Sequence, residues 1–244
     1  MDFLYFVAAG FIAQLIDGSL GMAYGVSCTS MLLAFGFPPA AASASVHTAE
    51  IVTSGLSGHF HWRFGNVDPQ LFRSLVWGGV VGGAVGAFVL SNAPGDRLRP
   101  WIAVYLIAMG VRILYKALGR VPPVTRPSAG LPWLGFVGGL CDAIGGGGWG
   151  PIVTSTLVGR GNDPRLAIGS VNRAEFFVTL VQAMTFAAFL GLTHLDVVIA
   201  LSLGGALAAP AAAYAVRHIQ PRPLMLAIGI VIVAISGWTL IDAL

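Results

Sequence analysis

The residues most able to do chemistry in this chain stand where charge is expensive. Glu50 and His47 lie in the apolar run 40–61, and Arg173 and Glu175 lie in the apolar run 166–190. A charged side chain at the centre of a lipid-length segment costs roughly 2.5–3.5 kcal/mol, so such groups face protein or water and carry function. On a helix His47, Glu50 and Ser54 fall at i, i+3 and i+7, which makes one polar stripe. Asn172, Glu175, Thr179 and Gln182 make a second, with Ser170 and Arg173 beside it. Arg173 and Glu175 are two apart and do not face each other on one helix. A cross-helix pair of Arg173 with Glu50 is therefore expected. Both glutamates are candidates for carrying protons, because a carboxyl taken out of water can exchange its proton within the working range of pH. His59 and His61, beside Arg63, are expected at an interface.

Asp17 and Asp142 mark a second kind of chemistry. Each opens a glycine-rich block, running to Gly25 and to Gly150 respectively. The flanking apolar stretches 3–16 and 26–37, and 131–144 and 151–161, are short for a crossing of about 20 residues. Glycine costs about 1 kcal/mol inside a helix, and unwound backbone survives at membrane depth only where protein or water meets it. Each pair is therefore expected to form a hairpin of half-helices meeting near the midplane. The free N–H groups that begin 26–37 and 151–161 would suit an anion. Residues expected to hold one are Gly21, Tyr24, Gly25, Ser45, His47, Gly147, Gly148, Trp149, Gly150, Ser170, Asn172 and Arg173. Glu50, Glu175, Asp17 and Asp142 are expected to couple protons, although both aspartates also suit a capping role. Gly145, Gly147 and Gly150 spell GxGxxG, but no strand precedes them, so a dinucleotide site is excluded.

These blocks belong to one unit written twice. Residues 10–50 lie over 135–175 without a gap and share 16 of 41 positions, among them Asp17 with Asp142 and Glu50 with Glu175. Each half continues with three long apolar stretches: 40–61, 69–91 and 100–118, then 166–190, 196–215 and 223–241. Asp68-Pro69 and Asp163-Pro164 read as helix starts. The organisation is a first transmembrane repeat over 1–118, a linker over 119–130 with Pro122, Pro123 and Pro127, and a second repeat over 131–244. Only 9% of residues are charged, against about 25% in soluble domains, and mean hydropathy is +0.83. The fold class is all-α and polytopic, in two inverted repeats, each a broken hairpin plus three long helices. A β-barrel is excluded by the continuous apolar runs. Arg112, Lys116, Arg120 and Arg126 place the linker in the cytoplasm. Counting outward from it puts Arg63, Arg73, Arg160, Arg165, Arg217 and Arg222 on the same side, and both termini in the periplasm. Met1 to Leu4 carry no basic leader. Cys28 and Cys141 read as small core-filling thiols.

The run Gly21 to Gly25, with Ala44-Ser45-Val46-His47-Thr48-Ala49-Glu50, resembles the opening repeat of the sulfite exporter TauE/SafE family of bacterial membrane transporters. Gly145 to Gly150 resembles its glycine-rich second repeat, and Gly65-Asn66-Val67-Asp68 also fits the pattern. The resemblance covers nearly the whole chain. It implies an inner-membrane carrier for sulfite, an organosulfonate or a related sulfur-containing or carboxylate anion, driven by protons. Implied partners are that anion, the bilayer and protons, with a homo-oligomer left open, and no nucleic acid or cofactor. The alternatives are a metal-cation permease using the intramembrane His and carboxylates, and a passive anion channel. An enzyme lacks its parts, since no GxSxG, HExxH or CxxC is present.

Overall fold

The structure is a computed structural model that describes residues 2–119, 130–191, 194–216, 218 and 221–243. Most of the expected linker, with Arg120 and Arg126, and also Arg217, lies outside the described residues. Among those described the chain is all-helical. The first half comprises α1 (Asp2–Leu20), α2 (Tyr24–Ala34), α3 (Pro39–Arg63), α4 (Pro69–Asn92) and α5 (Gly95–Leu118). The second comprises α6 (Leu131–Gly145), a π-helical turn (Gly150–Thr154) running into α7 (Ser155–Gly159), then α8 (Pro164–Leu190), α9 (Leu195–Ala215) and α10 (Pro221–Asp242). Asp68 and Asp163 cap α4 and α8 as expected. Each side chain accepts from two backbone N–H groups, those of Gln70 and Leu71 and those of Arg165 and Leu166.

Stretches of α1, α4, α5, α8, α9 and α10 are long and apolar enough to cross a membrane. α3 matches them in length but is more polar, and it runs through the interior. Ser43, Ser45, His47, Glu50, Thr53, Ser54, Ser57 and His61 of α3 are all buried, whereas Trp77, Trp101, Tyr115, Leu207 and Trp238 stand exposed. Polar inside and apolar outside is the arrangement of a protein wetted by lipid.

Glycine sets the tightest helix contacts. On α4, methyl groups at Gly78 and Gly82 would stand 1.8 and 2.0 Å from the carbonyl oxygens of Pro132 and Phe136 on α6. On α9, one at Gly204 would stand 2.0 Å from the Val7 carbonyl of α1. Only bare backbone allows such approach. The first helix of each half thus packs on a long helix of the other half. α3 and α8 occupy equivalent places in the two halves and cross in opposite directions. Ser54 meets Thr179 at 3.4 Å, and one turn on in α3 Ser57 donates to Asn172, earlier in α8. α5 and α10 cross likewise, Gly110 lying against Val233 and Leu114 against Gly229.

The broken pairs are hairpins. Phe35, just after α2, packs edge-on against Tyr5 and Phe6 of α1, so the chain returns to the end it entered from. The end of the first helix differs from the sequence expectation. α1 does not stop at residue 16 but continues through Asp17 and Gly18, with the Ser19 hydroxyl bonded back to the Leu15 carbonyl. α1 can continue there because Gly18 lets it pass Ala212 of α9, to which a methyl group would stand 2.6 Å away. The unwound stretches are accordingly short, residues 21–23 and 146–148.

Candidate functional site

A half-helix that begins inside the protein has N–H groups without helical partners. In both halves the same acid answers them. Asp142 on α6 accepts the Trp149 N–H at 2.9 Å, and Asp17 on α1 accepts the Tyr24 N–H at 3.4 Å. The acid and the donor are seven residues apart each time, across the break. The breaks also share backbone geometry, Gly21 and Gly146 both at φ +68°. Ala23 holds φ +128°, a strain of order 1–3 kcal/mol for a residue with a side chain.

The two tips interlock. Thr154 donates to the Gly21 carbonyl at 2.7 Å, and Thr29 donates to the Gly146 carbonyl. A methyl at Gly25 would stand 2.8 Å from Gly147 Cα, and one at Gly150 would stand 2.5 Å from the Gly21 carbonyl. The expected glycines Gly21, Gly25, Gly147 and Gly150 therefore do converge, and their bareness lets two backbones touch. Gly148 lies under Tyr105 of α5, to whose hydroxyl a methyl there would stand 1.9 Å.

The ionisable groups gather around this crossing. His47 Nδ1 donates to the Ser43 carbonyl at 2.7 Å, which can only accept. That leaves Nε2 facing Asp142 Oδ2 at 3.0 Å. Gln182 also donates to Oδ2, at 2.9 Å. A hydrogen bond between Nε2 and Oδ2 needs one proton, so the pair holds exchangeable hydrogen whichever atom carries it. Glu50 Oε2 is 3.9 Å from the same Nε2. It is buried and has no hydrogen-bond partner. The other oxygen, Oε1, lies 3.2 Å from where a Gly25 methyl would be. The Glu50 carboxyl thus sits on the first turn of α2, where helix polarity favours negative charge. Glu175, its counterpart, is buried within electrostatic reach of Glu50, Asp17 and Asp142.

Other expected residues are engaged elsewhere. The Arg173–Glu50 pair does not form. The Arg173 guanidinium lies over the rings of Trp62 and Phe72, at 5.2 and 5.5 Å, because α3 and α8 cross with Arg173 level with Gly58, two turns beyond Glu50. Tyr24 and Trp149 turn their donors outward, to the carbonyls of Leu201 and Val171. Asn172 accepts from Ser57 at 2.7 Å and donates to the Ile168 carbonyl. The Ser170 hydroxyl accepts the Asp68 N–H at 2.8 Å and so braces the turn between α3 and α4. Ser45 is buried with its hydroxyl unpartnered. His59 is exposed, but His61 is not interfacial: it is buried and donates through Nε2 to the Gly18 carbonyl at 2.8 Å. Cys28 and Cys141 are free thiols. The sequence reading missed Tyr105, whose buried hydroxyl has no partner. Its signal was a tyrosine inside the apolar run 101–111.

Lipid-facing helices enclosing a buried polar centre, at the contact of two broken hairpins, define a polytopic membrane protein of the transporter class. The chain belongs to the Sulfite exporter TauE/SafE family of membrane transporters, whose sequence profile matches residues 6–239. It is 41% identical over 249 residues to the probable membrane transporter protein YtnM of Bacillus subtilis strain 168, an alignment covering 98% of this chain and 83% of that protein. No solved structure matches it.

Proposed function

We propose that this protein is a proton-coupled secondary transporter, not an enzyme, that carries sulfite or a related small sulfur-containing or carboxylate anion across the bacterial inner membrane. The observation that carries the reading is the buried group of His47, Asp142 and unpartnered Glu50 at the crossing of the two helix tips. Glu50 occupies the start of α2 as a tethered anion, where a free anion would compete with it. Carboxyls gathered around one imidazole repel an incoming anion unless protons enter with it, so charge balance joins the two movements. A proton passed from the His47–Asp142 pair to Glu50 would release its carboxyl from α2 and admit the substrate.

The architecture supports two inverted repeats, over 1–118 and 131–244, as a basis for alternating access. The antiparallel crossings of α3 with α8 and of α5 with α10 support that inversion. Arg99 donates to the Leu33 carbonyl and to Asp242, which gathers the ends of α2 and α10 at one face. That face is periplasmic on the distribution of basic residues. A metal-cation permease would draw on the same carboxyls. Among the described residues, however, no three His, Cys, Asp or Glu side chains converge as metal ligands.

The test is sulfite counterflow in proteoliposomes with and without an imposed pH gradient. Saturable exchange that the gradient drives, and that a protonophore collapses, is the expected result. Glu50→Gln should keep exchange but lose its response to the gradient. Wild-type exchange indifferent to the gradient would reduce the protein to a passive path.

A further inference from the structure

The two halves match closely enough that differences between equivalent places carry information. A cavity of about 10 Å³, room for about one water, lies at the end of the molecule where α8 turns into α9. Thr48, Phe186, Ala187, Gly191 and Val198 line it. Carried through the repeat, these positions correspond to Arg173, His61, Trp62, Asn66 and Arg73, at the opposite end. There the Arg173 guanidinium fills the space between Trp62 and Phe72. So Arg173 stands at one end where Thr48 stands at the other, and the bulky ring of Trp62 replaces Ala187.

The layers beneath differ in the same sense. At the cavity end the ring of Phe186 intervenes, with one side on the cavity and its centroid 6.1 Å from that of His47. At the other end His61 is pinned to the Gly18 carbonyl and Asn66, and below it Asn172 is tied to Ser57. One apolar ring, free of polar ties, is a thin barrier. A stacked cation over a hydrogen-bonded layer is a thick one, since a guanidinium is attracted to the face of an aromatic ring.

We propose that the cavity beside Thr48 is the entry by which anion and water reach His47, with Phe186 as its gate, and that Arg173 between Trp62 and Phe72 closes the opposite path. This inference rests on the transport reading and adds a direction to it: the conformation described is the one poised to open beside the turn between α8 and α9, away from the basic residues Arg63 and Arg73.

Cysteine labelling in the full chain, with Cys28 and Cys141 replaced by alanine, tests the proposal. The probe is a membrane-impermeant methanethiosulfonate applied to right-side-out or inside-out vesicles. Thr48→Cys should react at least tenfold faster from the periplasmic side. Ser57→Cys should be shielded from the cytoplasmic side and become at least tenfold more reactive there when Trp62→Ala is added. Trp62 is exposed, so that change leaves the interior packed, and Arg173→Gln provides a second, independent opening. Thr48→Cys unreactive, or equally reactive from both sides, overturns the proposal, as does Ser57→Cys open to the cytoplasm with the stack intact. Labelling needs no substrate. The predicted pattern together with no anion exchange in the same vesicles would sink the transport reading alone.

Discussion

At the scale of single residues, two equivalent aspartates have different work. Asp17 answers one backbone N–H at 3.4 Å. Asp142 caps its half-helix, accepts from Gln182 and shares a proton with His47. Asp17→Asn should therefore cost no more than about 1 kcal/mol, the value of a cap, and keep gradient-driven uptake. Asp142→Asn should cost roughly 1–3 kcal/mol, as a buried acceptor is lost, and abolish the response to the gradient. Thermal unfolding in detergent beside uptake in proteoliposomes reads both effects. A loss of coupling confined to Asp17→Asn would place the proton at the wrong repeat. Gly147 is a poor site for a test of blockage, because a methyl there would stand 2.2 Å from the Val26 nitrogen. Gly25→Ala is gentler. It presses on Gly147 Cα and Glu50 together, and uptake should fall at least tenfold.

At the scale of elements, helix ends and helix contacts separate cleanly. Asp68→Ala removes the acceptor for two N–H groups of α4 and should lower stability by about 1 kcal/mol without changing substrate preference. Gly82→Val drives a branched side chain into the Phe136 carbonyl, which a single methyl would already meet at 2.0 Å. The yield of folded protein should collapse, since overpacking forces the two backbones apart. Gly237→Ala is the control, because its methyl meets nothing within 4 Å and a helix gains from the exchange. Equal yields of the Gly82 and Gly237 variants on size-exclusion chromatography would mean that α4 and α6 do not pack as described.

At the scale of the whole molecule, the arrangement makes a prediction about sidedness. Tyr5, Phe35, Leu33, Arg99 and Asp242 gather at one end. The turn between α3 and α4 lies at the other, beside Arg63 and Arg73. Reporter fusions after Asp242 should be active only in the periplasm, and a reporter inserted in the turn 64–68 only in the cytoplasm. Both reporters on one side would contradict the antiparallel crossing of α3 with α8 in the membrane. The six spanning-length helices alone do not decide sidedness, because α3 is too polar to be counted and the hairpins return to their starting side.

Much of this was legible without coordinates, for local reasons. Burial in lipid demands about 20 apolar residues, so the long helices announced themselves within a residue or two at most ends. Unwound backbone demands glycine, so both breaks did as well, and the matched register linked Asp17 to Asp142. Even the capping role of these acids could be read from their place before a half-helix. Which groups meet was a different matter. His47 bonds to Asp142, 95 residues away, while Arg173, chemically the better partner for Glu50, is carried two turns past it to Trp62. Tyr105 of α5 reaches the second break at Gly148, 43 residues on. Sequence by itself determined the helices, the breaks and the repeat, because each follows from the local balance of apolar side chains, glycine and backbone hydrogen bonding. Only the tertiary structure decided the pairing, because a pair depends on where two helices cross along their lengths, and a shift of two turns changes every partner without altering either helix.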